Sequence, residues 1–407
     1  ILEQADETDA VFGELYSWYL RNPEYRNRVR KLVQSAFAGK PEDIISQSVA
    51  KALYGEVSPY SATRLERFAA CAFAHFLQYG MKLTERVEYE FKPMDMGNVM
   101  HGALESFAEE VRKRGMKWTE LTEQERNEIA DRCLDNIVAD YGNTVLKSSA
   151  RNEYMIERTR RILRRTVWAL QKQLEQGEFQ PEGFEVTFGG GRIDRVDIME
   201  DQNKVYVKVI DYKTGNTSFD LVYLYHGLQL QLMIYLDGAL RVEQKKYPDK
   251  EIIPAGVFYY NIKDPMIQEK IDADVEAVSA GLMKELKMNG LVQADPELVY
   301  RMDSSLGSIP VAFNKDGSFR KNSSVADRTQ FAVLGRYVRT KIEKIRSSIL
   351  EGDAEVSPYE LGKKNACTYC PYMTVCGFDR RLSGYEFRRL KNFSDEELWK
   401  AFDREAE

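Results

Sequence analysis

The sequence predicts an α/β fold, a mixed sheet flanked by helices, and three observations predict it. From Phe184 to Lys213 the apolar residues alternate with the period of half-buried strands, in FEVTF, RIDRVDI and KVYVKVIDYK. Next, HGLQLQLMIYLDGAL places Leu228, Leu232 and Tyr235 on one helical face, and IPAGVFYYNI follows as a strand apolar through its middle. On both sides of this block the apolar positions recur at three and four, as in GNVMHGALESFAEEVRKRG and QFAVLGRYVRTKIEKIRSSIL.

The 407 residues allow a sizeable core and two or three domains. A hydrophobic fraction of 43% and a charged fraction of 30% are those of a soluble globular protein. No apolar run is long enough to span a bilayer, and Ile1-Leu2-Glu3-Gln4 is not the basic start of a secretory signal. The chain opens without Met, as expected of a part cut from something larger. A net charge of −6 argues against a general nucleic-acid binder but does not exclude DNA, because phosphate contacts are local.

Taken in order, residues 1–57 read as charged amphipathic helices punctuated at Pro41 and Gly55, the remnant of a preceding region. Ser58-Pro59-Tyr60-Ser61 opens a new unit, with Ser61 or Thr63 as N-cap of a helix running through Leu65, Phe68 and Cys71. KLTERVEYEFK (82–92) is a linker or strand. A helix starts at Gly97, with Met100, Leu104, Phe107 and Val111 as its buried stripe and His101 beside it. Residues 120–176 form two helices. The second carries Arg151, Arg158, Arg160, Arg161, Arg164 and Arg165, either a solvated face or a strand-tracking surface on which Arg158, Arg161 and Arg165 are the candidate contacts. Cys133 falls on an apolar stripe with Ile129, Ile137 and Val138 and reads as structural. A Gly189–Gly191 turn joins the first two strands. DVEAVSAGLMKELKMNG is helical, Asn314–Ser324 is a loop, and Ser394 with Glu397 three residues on forms a capping box before the last helix. The unit runs over 58–393, and 394–407 is a C-terminal helix.

The chemistry concentrates in GRIDRVDIMEDQNKVYVKVIDYKTG. Asp194 and Asp211 stand on neighbouring strands and can meet on one hard divalent cation. Asp211 and Lys213, two apart, share a face, so the ammonium can hold a phosphate or orient a water beside the metal. Asp211 follows the apolar Val209-Ile210, and a carboxylate emerging from a buried strand needs a partner. Asp197, three residues past Asp194, points to the opposite face and suits an arginine partner. Glu185 on the preceding strand is a further carboxylate. Gln231 and Tyr235, four apart on the following helix, are neighbours.

These residues resemble the PD-(D/E)xK nucleases, a restriction-endonuclease-like fold, and within them the RecB-like branch. Its motifs are similar to Gly191-Arg192-Ile193-Asp194, Asp211-Tyr212-Lys213, Gln231-Leu232-Met233-Ile234-Tyr235 and Gly97-Asn98-Val99-Met100-His101. The resemblance implies Mg²⁺ or Mn²⁺ held by His101, Glu185, Asp194 and Asp211. It also implies catalytic roles for Asp194, Asp211 and Lys213, with Gln231 and Tyr235 contacting DNA or buttressing the site.

Cys367, Cys370 and Cys376 have ligand spacing, with Cys71 about 300 residues away as a fourth thiolate. Spacing alone leaves zinc and a [4Fe–4S] cluster near even. An odd cysteine count without an export signal speaks against disulfides and for a reducing compartment. SATRLERFAACAFAHF, HGLQLQLMIYLDG and NACTYCPYMTVC resemble the nuclease regions of AddB-type proteins from about Ser58 onward. That resemblance implies a [4Fe–4S] staple on the four cysteines, a bacterial cytoplasmic setting and an AddA-type helicase–nuclease partner. The implied substrate is one DNA strand delivered from a duplex end, digested exonucleolytically during break resection. Two departures stand out: no G-x-x-x-x-G-K-[ST] phosphate loop occurs in the chain, and the Gly189–Gly191 turn is short where AddB-type proteins carry a long insertion. The competing expectations are a stand-alone RecB-like exonuclease of the CRISPR-adaptation type and a catalytically inert iron–sulfur DNA-binding module.

Overall fold

The computed structural model describes residues 9–36, 44–55, 61–84, 93–140, 149–189, 191–267, 274–382 and 384–406. The opening at 58–60, most of the 82–92 linker and Gly190 of the short turn lie outside the described residues. The lead comprises α1 (Asp9–Arg21), α2 (Pro23–Ala36) and α3 (Gln47–Tyr54), followed by α4 (Ala62–Ala70) and α5 (Ala72–His75). Three helices come next: α6 (Pro93–Lys113), α7 (Glu123–Asp140) and α8 (Ala150–Glu175). The sheet follows with β1 (Gln180–Phe188), β2 (Gly191–Asp201) and β3 (Lys204–Lys213), then α9 (Leu221–Tyr225), α10 (Gln231–Lys246) and β4 (Glu251–Asn261). It closes with α11 (Val275–Glu285), β5 (Asn289–Gln293), α12 (Pro296–Met302) and β6 (Val325–Ala326). The remainder is α13 (Arg328–Glu351), β7 (Tyr359–Leu361), β8 (Lys364–Asn365), α14 (Met373–Cys376), β9 (Arg388–Arg389) and α15 (Asp395–Ala406).

The six strands lie in the order β1-β2-β3-β4-β5-β6. The first three form the antiparallel meander that the alternation predicts. β4 returns parallel to β3, with α9 and α10 as the crossover, so the sheet is mixed. One apolar core fills the face under α10, α4 and α13, with Leu232, Leu236, Val207, Val209 and Val257. A second fills the other face under α6–α8, with Met100, Leu104, Phe107, Ile210 and Phe258. β3 contributes to both cores, Val209 to the first and Ile210 and Tyr212 to the second, and Asp211 emerges between them. α3 adds Ala50 and Tyr54 to the first core. α15 adds Leu398, Ala401 and Phe402 to it, and Ser394 caps that helix with Glu397 as the sequence predicts.

Two expected helices are interrupted, and both breaks matter for the site. The helix expected from His226 begins only at Gln231. Gly227 takes a left-handed φ of 77°, and Asp220 instead caps the short α9 by accepting from Val222 and Tyr223. The helix expected to run through Cys71 stops there, because Cys71 is extended (φ −166°, ψ 118°) between α4 and α5. Close packing fixes α10 on the sheet: a Cβ on Gly238 would lie 2.6 Å from the Phe188 ring of β1.

Beneath the strands that carry the site lies a buried ion group. Arg195 donates to both Asp197 oxygens, from Nε at 2.5 Å and Nη2 at 2.8 Å, and Lys208 Nζ stands 3.1 Å from Oδ2. Asp197 therefore turns away from Asp194 and takes an arginine, as its three-residue offset predicts. The Arg195 guanidinium also lies 5.8 and 5.7 Å from the Trp118 and Phe184 rings, which stack on each other. Burial raises the Asp197 carboxyl, but Arg195 and Lys208 outweigh it and hold it below the usual carboxylate range. This buried ion group, with Lys208 opposite Asp197 across the strand pair, ties β2 to β3 in one register.

Candidate active site

Four elements converge on the end of the sheet. α6 brings His101, β1 brings Glu185, β2 brings Asp194, and β3 brings Asp211 and Lys213. His101 Nδ1 lies 3.4 Å from Asp194 Oδ1 and 3.8 Å from Glu185 Oε1. One ligand atom from each of these three residues falls within 4.8 Å of the others. Among the described residues this is the one His/Cys/Asp/Glu group so arranged. Two features aim it. Glu185 sits at a left-handed φ of 50°, a costly conformation for glutamate, which marks a strained position beside the site. Asp194 Oδ2 accepts from the Tyr212 backbone N–H at 2.7 Å, which pins the β2 carboxylate to β3.

The electrostatics are those of a site built for a cation. Burial depresses the His101 imidazolium, but hydrogen bonds to Asp194 and Glu185 overcome it and push the ring up to about 10. A proton there takes the place of a positive charge that the two carboxylates demand. Burial, and then the charge of Asp194, push Asp211 well above the usual carboxylate range, while Lys213 opposes the shift. A nitrogen and hard carboxylate oxygens on converging elements fit Mg²⁺ or Mn²⁺.

Asp211 stands beside that group in a network of its own. Lys213 Nζ is 2.5 Å from Asp211 Oδ2, and Gln231 Nε2 donates to Asp211 Oδ1 at 2.9 Å. The same Gln231 accepts from Lys213 Nζ and donates to Tyr235 Oη, each at 2.9 Å. Gln231 and Tyr235 thus buttress Asp211 and Lys213. The structure brings His101, Glu185 and Asp194 into one ligand group and leaves Asp211 bound to Lys213 and Gln231 at its edge. Arg192, largely exposed, reaches the Glu185 carboxylate.

Sequence reasoning missed Glu66 of α4. Its Oε1 accepts from the backbone N–H groups of Leu230 and Gln231, at 2.7 and 2.9 Å. Burial pushes its carboxyl up to about 7, against the pull of those two N–H groups and of Lys213. The signal available was thin: a glutamate flanked by the core residues Leu65, Phe68 and Ala69.

The four cysteines expected to act together lie in one part of the fold. Cys71, Cys367, Cys370 and Cys376 line one cavity with Phe73, Tyr372 and Phe378. All four are free thiols, and Cys133 lies apart in the α7 core. Burial and then the neighbouring Cys71, Cys370 and Cys376 push Cys367 up to about 11, because thiolates this close repel. Asn365 Oδ1 accepts from the Cys367 and Thr368 N–H groups at 2.9 and 3.0 Å, which shapes the turn that presents Cys367. Positive charge faces the cavity: Arg67 Nη2 is 4.0 Å from Cys370 Sγ, with its guanidinium over the Tyr372 ring. Cysteine sulfurs lining one cavity are soft donors of the kind a metal centre takes, but among the described residues no three of them fall within the 4.8 Å spacing of the His101 group.

On α8, three of the arginines are engaged by acids. Arg160 and Arg164 pair with Asp131, and Arg161 pairs with Asp264 at 2.7 Å. Arg165 lies 5.8 Å from the Trp168 ring, and Arg158 is exposed.

A mixed sheet whose edge gathers histidine, carboxylates and a D-x-K lysine, with a buttressing glutamine helix beside it, defines a nuclease domain of the metal-site type. The chain belongs to the PD-(D/E)XK nuclease superfamily, whose model matches residues 59–377. It is 41% identical, over 98% of its length, to the B subunit of an ATP-dependent helicase/deoxyribonuclease of Lachnoclostridium phytofermentans. It is 34% identical, again over 98%, to proteins of the same name from Thermoanaerobacter sp. and Alkaliphilus metalliredigens. The chain spans 36–37% of the length of these relatives. Among the described residues, no helix is long and apolar enough to cross a membrane.

Proposed function

We propose that this domain is a Mg²⁺- or Mn²⁺-dependent deoxyribonuclease. In this reading it digests one strand exonucleolytically from a duplex end, within an AddAB-type complex that resects double-strand breaks in the bacterial cytoplasm. The observation that carries the reading is the His101–Glu185–Asp194 group set against the Asp211–Lys213–Gln231 network. His101, Glu185 and Asp194 would hold the ion, with Asp211 at its edge. The ion supplies Lewis-acid charge for the phosphoryl oxygens and for activating water. Hydrolysis adds water across one P–O bond, so the water loses a proton and the leaving alkoxide gains one. Lys213 holds the phosphate or the water in line. Gln231 keeps Lys213 and Asp211 in fixed relation, and Tyr235 keeps Gln231 in place. Arg158 and Arg165 of α8, with Arg161 once freed from its exposed pair with Asp264, are the candidate strand contacts. A partner of the AddA type is suggested by the relatives' name, which calls them subunits.

The cysteine cavity holds a [4Fe–4S] cluster in this reading, which joins Cys71 before the sheet to three ligands after it. It would close a loop of about 300 residues and hold α4 against the C-terminal segment. We assign 58–393 to the nuclease domain, 1–57 to the end of a preceding region and 394–407 to its closing helix.

Exonucleolytic action on ends is tested with a linear duplex and a covalently closed circle of the same sequence, incubated with the chain and Mg²⁺. The linear form is expected to disappear while the circle persists. Equal attack on both contradicts the end requirement.

A further inference from the structure

Helix α10 carries Gln231 in its first turn, and that turn has no cap of its own. Its N-cap position is Leu230, whose side chain makes no capping hydrogen bond. The first N–H groups of a helix need acceptors, and an anion there also meets the positive end of the helix dipole. Glu66 fills this role from another helix, more than 160 residues earlier in the chain, with one carboxylate oxygen accepting from both Leu230 and Gln231. The residue held by its backbone is the one whose side chain joins Lys213, Asp211 and Tyr235.

Resting on the nuclease reading above, we propose that Glu66 is a positioning residue of the site: by capping α10 it aims Gln231 at Asp211 and Lys213. α4 is suited to this because it is itself anchored on both sides. Leu65, Phe68 and Ala69 pack into the core beneath α10. Toward the cysteine cavity, Arg67 lies by Cys370, Arg388 donates to the Ala69 carbonyl, and Cys71 ends the helix. The clasp therefore sets where α4 sits, and Glu66 carries that placement to the reacting groups.

The test uses the 407-residue chain with Glu66→Gln, which keeps the shape and one acceptor but removes the charge, together with Glu66→Ala, Gln231→Ala and the double alanine variant. Glu66→Ala is expected to lower kcat by about tenfold, the scale of a lost helix cap felt at the reacting groups, with KM within about twofold, and Glu66→Gln, which keeps an acceptor, is expected to recover most of that loss. In Glu66→Ala, amide exchange over 230–233 should quicken, and iron content should stay at the wild-type level. The double variant should be no slower than Gln231→Ala alone, because the two residues act in series. Unchanged exchange over 230–233 in Glu66→Ala overturns the proposal. So does an unchanged kcat in an active background, or losses that multiply in the double variant. An unmutated chain that folds, carries metal and cleaves nothing sinks the nuclease reading instead, and the exchange measurement then still decides whether Glu66 holds α10.

Discussion

Asp211→Asn is expected to reduce Mg²⁺-dependent DNA cleavage by about 10³-fold or more, on the scale of losing a group that acts in the transition state. The substitution keeps the shape of the side chain. Gln231 retains an oxygen to donate to, so the strand and α10 stay in place. The loss is the negative charge between Lys213 and the His101–Glu185–Asp194 group. Two consequences separate this from unfolding. The thermal midpoint should not fall, since Asp211 is a buried carboxylate that burial and Asp194 both disfavour as an anion. The colour and iron content should also be unchanged, because the cysteine cavity lies elsewhere. Cleavage at the wild-type rate by a folded Asp211→Asn chain contradicts the assignment.

With the proposed [4Fe–4S] cluster in the cysteine cavity, anaerobically purified protein is expected to be brown, and Cys370→Ala is expected to lose that colour and to lower the thermal stability. Cys370 is one of four thiols lining a single cavity, and a [4Fe–4S] cluster needs all four. Metal ligation needs the thiolate form, which burial and the neighbouring sulfurs disfavour in the metal-free chain, so metal binding and ordering of this segment would be coupled. The loss should spread beyond the cavity. Phe73 N–H bonds to the Glu355 carbonyl and the Tyr372 hydroxyl to the Leu83 carbonyl, and these links tie the start of the domain to its end. Nuclease activity should fall with them, because α4 spans the distance from Cys71 to the Glu66 cap. A colourless wild-type protein containing zinc contradicts the cluster, and an unshifted midpoint in Cys370→Ala contradicts its role as a clasp.

Much of the site was legible because strands and helices impose short periods. Two-residue spacing put Asp211 and Lys213 together, four-residue spacing put Gln231 beside Tyr235, and the three-residue offset sent Asp197 to Arg195. The strand from Lys204 to Lys213 has the bounds read from the sequence, although it is buried on both faces from Val207 to Tyr212. The features that escaped depend on contacts between segments or on single backbone angles. Glu66 binds backbone N–H groups on a helix far along the chain, and no side-chain pattern announces that. The break at Cys71 and the left-handed Glu185 are local departures from regular geometry made worthwhile by distant partners. The late start of α10 was readable in principle from Gly227, yet the leucine pattern runs across it. Asp211, read from the sequence as a metal ligand, contacts Lys213 and Gln231, and the Gln231 contact comes from a helix that strand spacing does not place.

The central claim is that His101, Glu185 and Asp194 form a divalent-metal site on which cleavage depends. Its most direct test is Mn²⁺ binding followed by electron paramagnetic resonance, with chelator-stripped wild-type and Asp194→Asn chains titrated side by side. The account predicts that the wild-type chain takes up Mn²⁺ and regains cleavage in proportion, and that Asp194→Asn does neither at the same concentrations. Equal Mn²⁺ uptake by the two chains, or cleavage by the wild type that persists after chelation, would contradict it.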